Sequence, residues 1–515
     1  MRERLLAAVL SLSVSLSCGG TPPPRTPSPP ALSPPPVDRS SERVDALQRH
    51  IEALVQDPSV SAGTWGVEVR SLRTNEPLAA VNASRLLTPA SSLKLVTLAV
   101  AADQLGWDFS FETQVVSDGR IENGILSGDL VIVGSGDPSL DDWDGAATTV
   151  FKSWAATLKD AGVSAIAGRI VGDGRAFQDA GLGAGWAWDD LALSYSAPVG
   201  GLQFNQNSAQ VIATPGPTPG ATAHVTIRPP YAELALQVDV RTAAAGTRSS
   251  LLAQPVGRVP AAVLRGSVAV DAPPAARALA VANPSRYYAT AVREGLRHSG
   301  IDVRGAAVDV ADLADPPASV HGPVLMTHRS PTLDSLADTM MRFSQNLYAE
   351  SLLRTLGRIR GTGGTADAGN AVVHDTLAAW GIPPSEVQLV DGSGLSRYNL
   401  ITPRALAGAL AHVYADPRLR DAYMAVLPLA GRTGTLVNRM KGTAAEGLVS
   451  AKTGSFLNAR AIAGFVRTAD DEPLAFAIVA NNYGVGPAAV DRVSDAIIVS
   501  LAEFSREADA RAATR

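Results

Sequence analysis

Apolar positions along the chain fall into a helical period, then a strand period, then a helical period again. Val44, Leu47, Ile51 and Leu54 recur at helical spacing until Asp57-Pro58 stops them. Trp65, Val67 and Val69 alternate as a strand, and the turn Arg73 to Glu76 leads to a second strand near Leu78 to Val81. Pro89 opens a helix whose body, Leu93 to Leu105, is mostly apolar and ends at Gly106. A helical pattern returns from about Asp334 to Leu356. Three strands follow, Val449 to Ser455, Ala459 to Arg467 and Leu474 to Ala480, and Pro487 to Phe504 forms a last amphipathic helix. Antiparallel strands flanked by terminal helices imply one α+β domain.

The stretch between these halves reads differently. It is rich in Val, Gly, Ala and Pro, with short β-like runs such as Leu130 to Val133 and Ala223 to Ile227, and helical pieces at Val150 to Ala161 and Ala289 to Gly300. The expected organisation is a domain of residues 40–107 and 322–505, split by an inserted domain (108–206 and 261–321) that itself carries a third (207–260). A frayed tail, 506–515, is expected after it.

The N-terminus has its own pattern. Met1 to Arg4 are basic, and Leu5 to Leu16 form an apolar run with serines, too short to span a bilayer. Cys18 follows at once and is the only cysteine, so no internal disulfide can form. A cysteine at that place resembles a bacterial lipobox, although Ser15 stands where Leu is usual. Residues 1–18 are therefore expected to be a lipoprotein signal peptide, with Cys18 the lipidated residue and a membrane held through that anchor. From Pro22 to Pro36, 9 of 15 residues are proline. Linker 19–39 is expected to be an extended polyproline tether, which at ~3 Å per residue reaches roughly 45 Å.

Composition adds exclusions. The chain has 515 residues, 46% hydrophobic and 18% charged, with a net charge of -5. Nothing suggests nucleic-acid binding. There is no G-x-S-x-G elbow, H-E-x-x-H or paired-cysteine metal site, and the seven histidines are scattered. No metal or cofactor is expected.

Three short words carry the candidate chemistry: Ser91-Ser92-Leu93-Lys94, Ser344-Gln345-Asn346 and Lys452-Thr453-Gly454. Ser91 and Lys94 are i and i+3 at a helix start and share a face. A serine hydroxyl needs a base to become a nucleophile, and a lysine serves only if burial or neighbouring cations lower its pKa. Leu93, Leu95 and Val96 imply a dry neighbourhood, and Lys452 is expected to add like-charge repulsion. Ser344 offers a proton relay and Asn346 an amide for a substrate carbonyl. Lys452, Thr453 and Gly454 end a strand, whose edge can dock an extended peptide. The amides of Ser91 and Ser455 are expected to form an oxyanion hole. A decoy, Arg432-Thr433-Gly434, lies in a Gly-rich turn without a strand before it.

In this order the words match the penicillin-recognising serine enzymes. With Asp391 to Arg397, Gly134 to Leu140, Trp186 to Leu191 with Tyr195, and Leu427 to Leu436, the chain resembles the D-alanyl-D-alanine carboxypeptidase/endopeptidase family, the class C low-molecular-mass penicillin-binding proteins. The resemblance covers about residues 41 to 505. It implies an α+β, transpeptidase-like fold, antiparallel sheet flanked by helices, split by a large mainly β/α+β insertion of two further domains. It implies peptidoglycan stem peptides as substrates and β-lactams as covalent inhibitors. By resemblance, Asp190, Tyr195 and Arg397 are candidates for holding the diamino acid of the stem peptide. Arg432-Thr433 departs from the family's usual acidic character, and Phe204 to Asn207 from its usual pattern. Two other readings share the same words. A β-lactamase-like hydrolase is disfavoured by the long insertion, and a non-catalytic cell-wall binding protein by the intact Ser91, Lys94 and Lys452.

Overall fold

The computed structural model describes residues 39–143, 145–257, 261–317 and 322–507. The signal peptide, Cys18 and nearly all of the proline-rich linker lie outside the described residues. The central sheet has five antiparallel strands in the order Pro77–Val81, Thr64–Ser71, Pro473–Asn481, Ala459–Arg467 and Val449–Ser455. Strand Pro473–Asn481 is buried on both faces. Its period-two alternation assigns Ala475 and Ala477 to one side, and Phe476 and Ile478 to the other. The helices Arg39–Val55 and Pro487–Glu503 cover the Phe476 side, where Leu47, Ile51, Ile497 and Ile498 are buried. Small alanines on the opposite side allow close approach of Pro403–Ala415. That helix shares a core with helix Lys94–Leu105.

The helix expected from Asp334 to Leu356 is two helices, Leu333–Arg342 and Asn346–Arg360. Ser344, between them, has φ 58°, a left-handed conformation that a continuous helix cannot hold. The apolar period runs on in register across the break, which hides it from sequence. The break turns Ser344 and Asn346 toward the sheet edge.

Residues 112 to 329 build further sheets. One has five strands in the order Ala307–Asp309, Ile170–Asp173, Leu130–Val133, Glu112–Ser117 and Val324–Arg329. Val324–Arg329 pairs antiparallel with Glu112–Ser117. The inserted sheet therefore runs past the expected boundary at 322, because its edge is closed by the returning chain. The expected boundary at 260 also moves. Ala262–Ala269 pairs with Leu236–Ala243 and Ser250–Pro255, and Ala275–Ala280 pairs with Ser208–Thr214. Val211, Val240, Leu251, Leu264, Val268 and Leu279 bury together, so strands on both sides of 260 share one core. The expected tail also begins too early. Arg506 is tied by ion pairs to Glu472 at 2.9 Å and Glu76 at 2.6 Å.

Candidate active site

Ser91 lies in the 3-10 turn Ala90–Leu93 that leads into helix Lys94–Leu105. Ala90 has φ 47°, a strained value for a residue with a β-carbon, and strain of this kind gathers at functional sites. Gly454 of the edge strand packs on this turn. A β-carbon there would lie 2.4 Å from the Pro89 carbonyl oxygen and 3.0 Å from the Ser91 amide nitrogen. Only glycine lets strand and turn approach this closely.

Lys94 is fully buried. Its Nζ lies 3.0 Å from Ser91 Oγ, 2.7 Å from Asn346 Oδ1 and 2.7 Å from the Ser393 carbonyl oxygen. Burial pushes its pKa down to about 7, and the negative charges of Asp391 and Glu350 hold it from falling further. Desolvation is the leading cause at Lys94, and the repulsion between the two amines is mutual, disfavouring charge on both at once. The Lys452 ammonium is fully buried and held well below its ordinary range, by burial first and Lys94 second. Lys452 Nζ donates to Ser344 Oγ at 2.9 Å and to the Thr453 carbonyl at 2.7 Å. Thus Ser91, Lys94, Asn346, Ser344 and Lys452 form two linked amine–hydroxyl pairs, assembled from a helix start, an interhelical break and a strand edge.

The remaining candidates lie at the rim. Thr453 Oγ1 donates to Thr435 Oγ1 at 2.9 Å, so the turn that held the decoy borders the site through Thr435. Ser455 is exposed at the end of the edge strand. Asp190 and Tyr195 come from the inserted segment, and the Tyr195 hydroxyl donates to Asp190 Oδ1 at 2.6 Å. Tyr195 is joined to the second word, because Asn346 Nδ2 donates to its backbone carbonyl at 2.7 Å. Burial and the Asp190 carboxylate push the Tyr195 phenol above its usual range. Arg397 stacks over Phe456 at 5.0 Å and donates to Asn458 Oδ1 at 3.1 Å. No carboxylate lies within ion-pair reach of it among the described residues.

Beneath the site is a polar layer that sequence reasoning left without a role. Asp391 accepts from Gly394 N, Ser396 N, Asn399 Nδ2 and Trp186 Nε1 at 2.6 to 2.9 Å. Its pKa rises to about 6, from burial first and the nearby Glu350 second. Glu350 and Arg354 form a fully buried ion pair at 2.8 Å, and Arg354 Nε reaches Asp179 at 3.0 Å. Their signal was present in sequence: an acid and a base four apart inside an otherwise apolar helical run. A cavity of about 1070 Å³, lined by Glu112, Asp173, Arg175 and Arg358 among others, holds none of the three words. Among the described residues no group of three or more His, Cys, Asp or Glu could hold a metal ion.

This arrangement sits in a fold shared with solved proteins. The crystal structure of penicillin binding protein 4 (dacB) from Haemophilus influenzae matches with a TM-score of 0.77 at 27% identity, over 88% of this chain and 99% of that one. A structure of the same protein complexed with a novel β-lactam matches with a TM-score of 0.70 at 26% identity, over 88% of this chain and 100% of that one. Fold and site thus define the class of penicillin-binding serine enzymes. Residues 47–504 match the D-Ala-D-Ala carboxypeptidase 3 (S13) family, and the chain belongs to that family of serine-type peptidases. It is 34% identical over 480 residues to the D-alanyl-D-alanine carboxypeptidase of Actinomadura sp. (strain R39), covering 91% of this chain and 86% of that one. It is 29% identical over 432 residues to D-alanyl-D-alanine carboxypeptidase DacB of Haemophilus influenzae, covering 82% and 86%.

Proposed function

We propose that Ser91 is the acylated nucleophile of D-Ala-D-Ala cleavage in peptidoglycan stem peptides, and that Lys94 is its base. The observation that carries this is the neighbourhood of Lys94 Nζ. Two of its three close partners, Asn346 Oδ1 and the Ser393 carbonyl, can only accept hydrogen bonds. A neutral amine has two N–H groups for them and one lone pair left. The third partner, Ser91 Oγ, can donate to that lone pair, which is the geometry of proton abstraction.

Ser91 Oγ attacks the carbonyl of the penultimate D-Ala as its proton passes to Lys94. The oxyanion faces the amides of Ser91 and Ser455. The Lys452–Ser344 pair leads a proton to the departing amine of the terminal D-Ala. Water then releases the peptide. When the same amine belongs to a second stem peptide, the step is endopeptidase cleavage. A β-lactam acylates the same serine, but its leaving nitrogen stays tethered and blocks the site. Asp190, Tyr195 and Arg397 hold the diamino acid of the stem peptide, and Thr453 and Gly454 line the docking edge.

The chain is read as a catalytic unit, interrupted by two inserted units whose boundaries lie near 280 and 329. Export is proposed from residues 1–18, with Cys18 lipidated, residues 19–39 as tether, and the enzyme on the periplasmic or cell-envelope side. Among the described residues no helix is long and apolar enough to cross a membrane.

Fluorescent penicillin should label the wild type and not Ser91→Ala, with the adduct mass on the Ser91 peptide. Equal labelling of the variant removes Ser91 from the role. Pentapeptide and cross-linked muropeptides, digested side by side, separate carboxypeptidase from endopeptidase action. Membrane fractionation of wild type and Cys18→Ala tests the anchor, and a soluble wild type rejects it.

A further inference from the structure

The acylation scheme uses Ser91, Lys94, Ser344, Asn346 and Lys452. It does not explain the most costly feature beneath them, a fully buried acid–base pair on helix Asn346–Arg360. Removing Glu350 and Arg354 from water is unfavourable unless their hydrogen bonds are well made. The bonds that Glu350 makes are informative. One oxygen, Oε2, pairs with Arg354 Nη1 at 2.8 Å. The other, Oε1, accepts from two successive backbone amides, Gly392 N at 3.0 Å and Ser393 N at 2.8 Å. The carbonyl of that same Ser393 receives Lys94 Nζ at 2.7 Å.

We propose that Glu350 is a positioning residue for Lys94, clamping the Gly392–Ser393 backbone so that the Ser393 carbonyl points at the amine. The clamp is stiff from both sides. Arg354 holds Glu350, and Asp179 of the inserted segment holds Arg354 while also accepting from Ala366 N at 3.0 Å. Gly392 leaves no slack, because a β-carbon there would lie 2.8 Å from the Ala349 carbonyl oxygen on the same helix. If the Ser393 carbonyl turned away, Lys94 would lose one of its two acceptors. Its lone pair would no longer be fixed on Ser91 Oγ. Asp179 of the inserted segment thereby connects the insertion, through Arg354 and Glu350, to the amine of Lys94.

The charge of Glu350 gives the proposal a second readout. Lys94 faces Asp391 from the loop, Glu350 from the helix and Lys452 from the edge strand, with Arg354 behind Glu350. The two carboxylates favour the protonated amine. Removing Glu350 therefore lowers the pH at which Lys94 becomes neutral. A residue that only braced the helix would slow the reaction without moving that limb.

The inference rests on Lys94 as the base, and the experiment keeps the two apart. Penicillin acylation rates are measured against pH for wild type, Glu350→Gln, Arg354→Gln and the double variant, with circular dichroism on each. Lys94→Arg runs alongside and tests the base assignment alone. Glu350→Gln is expected to acylate about 100-fold more slowly, the scale of a misplacement near 1 Å, with its acid limb at lower pH. The double variant leaves no buried arginine facing a neutral glutamine, and is expected to fold while keeping the slow rate, with its limb moved less than in the single variant because loss of the Arg354 cation offsets loss of the carboxylate. A wild-type rate in the double variant would overturn the proposal, leaving Glu350 as a counter-charge for Arg354. A slow Glu350→Gln with an unmoved limb would also overturn the electrostatic part. If the single variant does not fold, the double variant decides.

Discussion

Asn346 faces two ways: its Nδ2 donates to the Tyr195 carbonyl, 151 residues earlier in the chain, at 2.7 Å. Its Oδ1 lies 2.7 Å from Lys94 Nζ. One amide therefore connects the inserted segment to the Lys94 amine, and Tyr195 in turn bonds Asp190. The proposed recognition residues and the proposed base therefore meet at one side chain.

That connection makes the rim testable. Arg397 has an exposed guanidinium with no acid beside it among the described residues, and a planar fork that suits a carboxylate. Asp190 suits an ammonium. Asp190→Ala and Arg397→Ala are expected to lower kcat/KM on a stem peptide by about tenfold or more each, the scale of a lost charge-assisted bond. Penicillin lacks that side chain, so its acylation should change far less. Equal losses on both substrates would mean that these residues only brace their loops.

The pH dependence follows from Lys94. Burial lowers its pKa to about 7, and in the proposed mechanism the neutral amine is the base. Acylation should therefore rise as pH increases through about 7 and level off above it. Lys94→Arg keeps the positive charge but cannot give up its proton, so acylation should be lost across the range. A rate independent of pH from 5 to 9, or near-normal acylation by that variant, would rule out the base role.

The three words were readable because each is local: a helix start, a loop before a helix, a strand end. The dry setting of Lys94 was also readable, from its apolar neighbours. What supports those words was not. Trp186 meets Asp391 across 205 residues, and Asp179 meets Arg354 across 175. No local period records such pairs. The break at Ser344 was hidden because the apolar period continues on both sides. The boundary at 260 failed for a related reason. A turn signal marks where a strand ends, not which sheet the next strand joins.

Burying Lys94 should weaken the fold in a pH-dependent way. A lysine in the unfolded chain titrates near 10.4 and in the fold near 7. Between these values the unfolded state binds the extra proton, so stability rises with pH across that window. Below about 7 the cost is complete, on the order of 5 kcal/mol. Lys94→Met should be inactive yet more stable than wild type at pH 6, with the difference shrinking toward pH 10. Urea unfolding at several pH values measures this. A constant difference would show that the lost hydrogen bonds, not the charge, dominate.

Two glycines separate backbone strain from close packing. Gly394 (φ 78°) and Gly381 (φ 81°) both adopt the left-handed conformation, which costs a residue with a β-carbon about 1 to 2 kcal/mol. At Gly381 a β-carbon would meet nothing within 4 Å. At Gly394 it would lie 2.0 Å from the carbonyl oxygen of Ala90, the residue before Ser91. That carbonyl belongs to the strained turn that presents Ser91, the proposed nucleophile, so it cannot yield without moving Ser91. Gly381→Ala should lose about 1 kcal/mol of stability and acylate at the normal rate. Gly394→Ala should lose more stability and acylate about 100-fold more slowly, as expected for a displacement near 1 Å. Acylation near the wild-type rate in Gly394→Ala would show that the Asp391 to Arg397 loop can shift away from Ser91, and would remove it from the scaffold of the site.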